Sequence, residues 1–246
     1  TERWAALERA KKRLFYSLYQ LGLPVADGWQ AGSQGLLFDF LDDARTQPET
    51  YPDTFITSGF AEGVITINVL EADDVARTAA QAELRERYRT LLGHFRHESG
   101  HYFWSLLSGD EKATSLFADL FGDANAEYRA SLDRYYEQGP PADWEQRYIS
   151  AYASSHPLED WAETWSHYLL MHDALETAHA HRLIDTPPLS SALVERITQW
   201  QTVSVGLNEM NQSVGREDAY PFVISAQVHN KLAYVDAMIS RLRTLQ

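Results

Sequence analysis

The chain has 246 residues, with 21 Lys and Arg against 35 Asp and Glu, and a formal net charge of −14. Its 44% hydrophobic and 12% aromatic content suffices for a sizeable core, as one domain or two lobes of one. The acidic balance argues against a nucleic-acid backbone or an anionic membrane as partner. The absence of cysteine excludes a disulfide framework, a thiol nucleophile and a thiolate-ligated zinc.

Taken in order, Glu2–Leu21 reads as an amphipathic helix with Trp4, Leu7, Leu14, Phe15 and Leu18 on its apolar side, ended by Gly22 and Pro24. Residues 25–35 are loop-like, Leu36–Leu41 is a candidate strand and Asp42–Pro52 is a polar loop. The β-branched run Val64–Val69 predicts a strand, either an ordinary sheet strand or an edge that pairs with an extended peptide. Asp73–Ala82 opens a helical region that continues as Glu83–Leu107. Helices are expected over Asp110–Phe121, Ala124–Gln138, Trp144–Tyr152 and Pro157–Leu175. Helices over Leu189–Val205 and Ser225–Leu245 follow, with Asn208–Phe222 as a loop between them.

The chemistry concentrates in His97-Glu98-Ser99-Gly100-His101, an H-E-x-x-H pattern. On a helix the two histidines stand one turn apart on one face, so both imidazoles reach one metal ion at about 2.0–2.1 Å. Glu98 lies to the side of that ion, placed to take a proton from water. His94, one turn earlier, is either a plain surface histidine or a support for the site.

A catalytic zinc keeps three protein ligands and leaves one position open. Trp104 and Leu107 occupy the positions where an extended form of the pattern carries Gly and a third His, so that solution is excluded. A glutamate from a later helix is the other common solution, and Glu159 and Glu163, four apart in Pro157–Leu175, suit it. One carboxylate binds the metal while the other supports a ligand imidazole, with Glu159 preferred as ligand and Glu163, His156 and His167 as alternatives. His167, Tyr168, Tyr220 and His229 are candidate donors to a developing oxyanion, each also readable as a structural residue.

Several strings resemble a bacterial family of zinc-binding metallopeptidases: Gly63-Val64-Ile65-Thr66-Ile67-Asn68, Glu71-Ala72-Asp73-Asp74, the run Tyr88–Glu98, Glu159-Asp160-Trp161-Ala162-Glu163-Thr164-Trp165 and Asp218-Ala219-Tyr220-Pro221-Phe222. The resemblance covers most of the chain and implies an α+β, mainly helical, zincin-like fold, with a small sheet packed on the H-E-x-x-H helix and Glu as third ligand. The E-x-x-A-E string is also similar to the third-ligand helix of the anthrax lethal factor protease domain. There the first glutamate binds zinc and the second supports it, which favours Glu159. Two features depart from the family: Ser58-Gly59-Phe60 stands where a histidine is expected in the third position, and the cysteine-rich N-terminal zinc ribbon of many members has no counterpart in these residues.

The expectation is therefore a single zincin-like domain. Residues 1–107 would form an upper lobe with sheet and metal helix, and 108–246 a helical lower lobe. It would bind one Zn²⁺ per chain and hydrolyse a peptide or protein substrate. No partner nucleic acid or membrane is expected, and the sequence leaves the oligomeric state open. A metal-retaining protein-binding module on the same fold is the alternative. A di-iron carboxylate bundle built on Glu98-x-x-His101 and Glu176-x-x-His179 is a third reading. With no apolar run of membrane-spanning length, no visible signal peptide and no cysteine, the expected compartment is the cytoplasm. The start at Thr1 suits a processed or truncated form.

Overall fold

Leu7, Leu14 and Leu18 recur at helical spacing and are fully buried, which fixes the inner face of the first helix, α1 (Glu2–Gln20). The computed structural model describes residues 2–47, 49–51, 55–73, 76 and 90–245. Trp4, expected on the buried side, is half exposed and lies edge-on to Phe40 at the margin of the sheet.

Among the described residues the sheet has three strands, β1 (Leu37–Leu41), β2 (Gly59–Ala61) and β3 (Val64–Asn68), in the order β1-β3-β2. β1 runs parallel to β3, with Leu37 opposite Val64, and β2 runs antiparallel to it, with Ala61 opposite Val64. Glu62 and Gly63, both at positive φ, close the β2–β3 hairpin in two residues. The sequence reading missed β2 because Gly59-Phe60-Ala61 carries no β-branched alternation. It also left open an edge role for the Val64–Val69 run. β3 is central and paired on both sides, so the edges belong to β1 and β2.

Phe38 and Phe40 of β1 lie 5.8 and 5.9 Å from Phe95, seating the sheet on α2 (Leu91–Leu107). Thr90 is in extended conformation and its hydroxyl accepts from Gly93 N–H, so this helix starts at Leu91 and does not run on unbroken from Glu83. The expected helical segments over 74–75 and 77–89 lie outside the described residues.

Helices α3 (Glu111–Phe121) and α4 (Tyr128–Gln138) follow. The helix expected over Trp144–Tyr152 is a single turn, Trp144–Arg147, after which Tyr148 is extended. α5 (Pro157–Ala180) outlasts its expected end by five residues and is buried on nearly all sides, so it shows no one-sided pattern. α6 (Leu193–Ser213) runs well past Val205, into residues read as loop, and α7 (Ala226–Leu242) closes the core.

α2 and α5 meet at Gly100. A Cβ there would lie 3.0 Å from the Ala162 backbone and 3.2 Å from the Trp165 ring, so only glycine permits this approach. Trp161 Nε1 donates to the Gly100 carbonyl at 2.8 Å, and Trp165 Nε1 donates to Ser99 Oγ at 3.0 Å. These two bonds fix the register of one helix on the other. The buried apolar residues of 1–107 and 108–246 join in one cluster across this contact.

Trp161 is fully buried against Trp104, Phe117, Trp165 and Tyr234. Trp161→Ala is expected to lower unfolding stability by about 3–5 kcal/mol, read from urea denaturation of the metal-free protein.

Candidate metal centre

α2 and α5 present three side chains to one point. His97 Nε2 lies 3.2 Å from His101 Nε2 and 3.0 Å from Glu159 Oε2, and His101 Nε2 lies 3.4 Å from Glu159 Oε1. Donor atoms of all three fall within 4.8 Å of one another. A tetrahedral ion with bonds near 2.0–2.1 Å has edges of about 3.3–3.4 Å. The observed separations fit that figure, and the donor set of two imidazoles and a carboxylate suits zinc.

The imidazole of His97 is oriented by Glu163, whose Oε1 sits 2.7 Å from Nδ1, while Ser150 Oγ donates to the other oxygen of Glu163 at 2.6 Å. With Nδ1–H committed to Glu163, Nε2 is the atom that faces the centre. Tyr128 Oη, from α4, donates to Glu159 Oε1 at 2.8 Å.

Charge is balanced locally. Burial alone would depress the His97 pKa, but the bonds to Glu159 and Glu163 outweigh it and hold the ring well above its ordinary value. Burial likewise opposes ionisation of Glu159 and Glu163, yet the facing histidines keep both carboxyls below their usual range. A proton on His97 and a cation at the centre therefore compete for the same negative pocket.

Glu98 is buried, its Oε1 3.1 Å from His94 Nε2 and its Oε2 without a hydrogen-bond partner among the described residues. Burial pushes its carboxyl up; the His94 hydrogen bond, with His97 and His101 nearby, brings it below its ordinary value. His94 is not a plain surface histidine: its Nδ1 lies 2.9 Å from Glu71 Oε2 and its side chain is 12% exposed.

These residues line a cleft of about 1330 Å³. Ser58, Gly59 and Phe60 border it from the sheet, Tyr128, Leu132 and Tyr136 from α4, and Trp104 and Tyr152 add aromatic surface. His167 also lines it, with Nδ1 2.9 Å from the Tyr220 hydroxyl. The other proposed oxyanion donors lie elsewhere. Tyr220 is buried behind His167. Tyr168 donates to Asp236 and receives Arg196, away from the cleft. His229 sits on α7, outside the lining. His156, weighed as a ligand, caps α5 by accepting from Leu158 N–H, and its other nitrogen pairs with the Ala126 carbonyl.

The di-iron pairing fails on distance. Glu176 follows Glu159 by 17 residues on one helix, about 26 Å along its axis.

Three participants escaped the sequence reading. Tyr128 and Ser150 come from segments without any motif. Glu71 stands in one of the strings that carried the family resemblance, and that was the available signal.

Two helices thus bring an H-E-x-x-H pair and a distant glutamate to one buried point, in a group that could hold a metal ion. The chain belongs to the family described as "Putative zinc-binding metallo-peptidase", whose model matches residues 1–238. It is 41% identical over 247 residues to an uncharacterized protein of Mycobacterium bovis, and equally to uncharacterized proteins of two strains of Mycobacterium tuberculosis. The alignment spans 97% of this chain and 70% of each relative. No solved structure is significantly similar. Among the described residues no helix is long and apolar enough to cross a membrane.

Burial holds His167 neutral, with its pKa pushed down to about 4. An unfolded histidine titrates near 6.5, so the unfolded chain takes up this proton first as pH falls. The stability contribution is intact above about pH 6.5 and declines toward pH 4. His167→Gln should flatten that part of the stability–pH curve by about one proton, measured by urea denaturation at pH 4.5, 5.5 and 7.

Proposed function

We propose that the protein is a zinc-dependent metallopeptidase that hydrolyses peptide bonds with Glu98 as general base. The supporting observation is the triangle of His97 Nε2, His101 Nε2 and the Glu159 carboxylate, beside a buried Glu98 with one unpartnered oxygen. His97, His101 and Glu159 hold one zinc per chain, and Glu163 keeps His97 in the ligating tautomer. When bound, zinc supplies the Lewis acidity that makes water a nucleophile near neutral pH.

The protein's own groups do the rest. Glu98 Oε2 takes the proton of the attacking water, because Oε1 is already engaged by His94. The same carboxyl then delivers the proton to the leaving amide nitrogen, so Glu98 ends each cycle ionised. Tyr128 supplies the oxyanion donor that His167, Tyr168, Tyr220 and His229 were considered for. Burial and the neighbouring Glu159 hold its phenol above the ordinary range, so it stays protonated, and its single O–H turns from Glu159 Oε1 to the carbonyl oxygen as charge develops.

The substrate is an extended peptide. The cleft exceeds the size usual for a small-molecule pocket, and it is bordered by β2, whose outer edge offers main-chain groups to a peptide strand.

Glu98→Gln is expected to reduce turnover of a fluorogenic peptide library about 10²–10⁴-fold, with one zinc per chain retained by elemental analysis. A parent protein that binds zinc and cuts no peptide would favour the binding-module reading instead. Glu163→Gln should weaken zinc affinity about 10–100-fold in chelator competition, and Glu159→Ala should abolish stoichiometric zinc.

A further inference from the structure

The proton acceptor of the proposed reaction is itself held by a chain of side chains that leads back to the sheet. Ser58 Oγ donates to Glu71 Oε1 at 3.0 Å, Glu71 Oε2 lies 2.9 Å from His94 Nδ1, and His94 Nε2 lies 3.1 Å from Glu98 Oε1. Ser58 also accepts the Asn68 N–H of β3 at 2.9 Å and directly precedes β2 at the cleft edge.

We propose that His94, clamped by Glu71, is a positioning residue that fixes the Glu98 carboxylate so that Oε2 alone serves as the base.

The argument is geometric. A neutral imidazole carries one N–H, yet both ring nitrogens of His94 face carboxylate oxygens at hydrogen-bond distance. Each contact is favourable when both nitrogens donate, so His94 is a cationic bridge between two carboxylates. That bridge compensates the buried charge of Glu98 and removes one of its two oxygens from competition. A glutamate with three rotatable bonds would otherwise share its population among several orientations. Fixing one of them before substrate arrives is the kind of preorganisation that affects turnover more than binding. Glu71 is placed by the helical turn Val69–Ala72 that follows β3, so the anchor of the bridge is the sheet and not the motif helix. Strand and base thus share one hydrogen-bonded frame, and a peptide seated along β2 meets a base whose position is set by the same strands.

This inference rests on the peptidase reading, and its test separates the two. His94→Ala, His94→Gln and Glu71→Gln would be compared with the parent for zinc content, melting temperature, kcat and KM on a peptide that the parent cleaves. The expected result is a 10–100-fold fall in kcat for His94→Ala with KM within twofold and one zinc per chain. Added imidazole should restore part of the lost rate in His94→Ala, and a smaller fall is expected for Glu71→Gln. An unchanged kcat in folded, zinc-loaded His94→Ala would overturn the proposal. So would a loss of zinc in place of turnover, since His94 would then support the metal and not the base. If the parent cleaves no peptide, the peptidase reading fails, and crystal structures of parent and His94→Ala decide the positioning claim alone. A Glu98 carboxylate that leaves its orientation or spreads over several supports it; one that stays in place refutes it.

Discussion

The site depends on how closely two helices approach at Gly100. A helix backbone normally stands clear of its neighbour by the thickness of its side chains, 8–10 Å between axes. At Gly100 no Cβ intervenes, and the backbone of Ala162 and the ring of Trp165 occupy the space. The two indole N–H bonds onto Gly100 and Ser99 then remove the freedom to slide. Slippage by one turn would move Glu159 about 5.4 Å along its axis, more than the whole span of the donor triangle. The candidate metal centre is therefore a property of a helix contact, and the side chains that form it inherit their geometry from apolar packing.

That dependence explains what sequence could and could not disclose. His97, Glu98 and His101 were legible because their spacing is set by a single helix, whose geometry is local. Glu159 and Glu163 were readable as candidates because E-x-x-x-E on a second helix is again a one-helix statement, with Glu159 preferred on that reading and favoured further by the resemblance. Tyr128, Ser150 and Glu71 reach the site from a helix, a bend and a turn that no local period connects to it, so only the fold brings them in. The fold class was readable on similar grounds, since long helices leave strong patterns. β2 did not, because a three-residue strand without β-branched residues is specified by its hairpin turn and its partner. The loop expected at 208–213 is helical because Asn208 sits within α6 and turns its amide toward Tyr220, holding the segment before Phe222 against the helix.

Among the described residues that line the cleft, carboxylates outnumber fixed cations, and histidines together with Arg45 carry the compensation. Glu71, Glu98, Glu159 and Glu163 all meet an imidazole, and no lysine lines the cleft. Lysine would place a fixed charge on a flexible stem beside a group that could hold a divalent ion. Histidine supplies positive charge only while the ion is absent and releases its proton when a ligand nitrogen is needed. The arrangement keeps the buried acids ionised in either state.

His94 differs from the other two histidines of the motif helix in this respect. His97 and His101 each turn Nε2 toward the triangle, whereas neither nitrogen of His94 enters it: one faces Glu71 and the other Glu98. One helical stripe of three imidazoles thus divides by surroundings into two members of the candidate triangle and one placed between two carboxylates, though the residue type is the same. The division is made by Glu71, which arrives from the sheet, and by Glu159, which arrives from α5. Identical side chains on one face acquire different surroundings because different elements pack against successive turns, and the turn that follows the sheet supplies the Glu71 contact that sets His94 apart from His97 and His101.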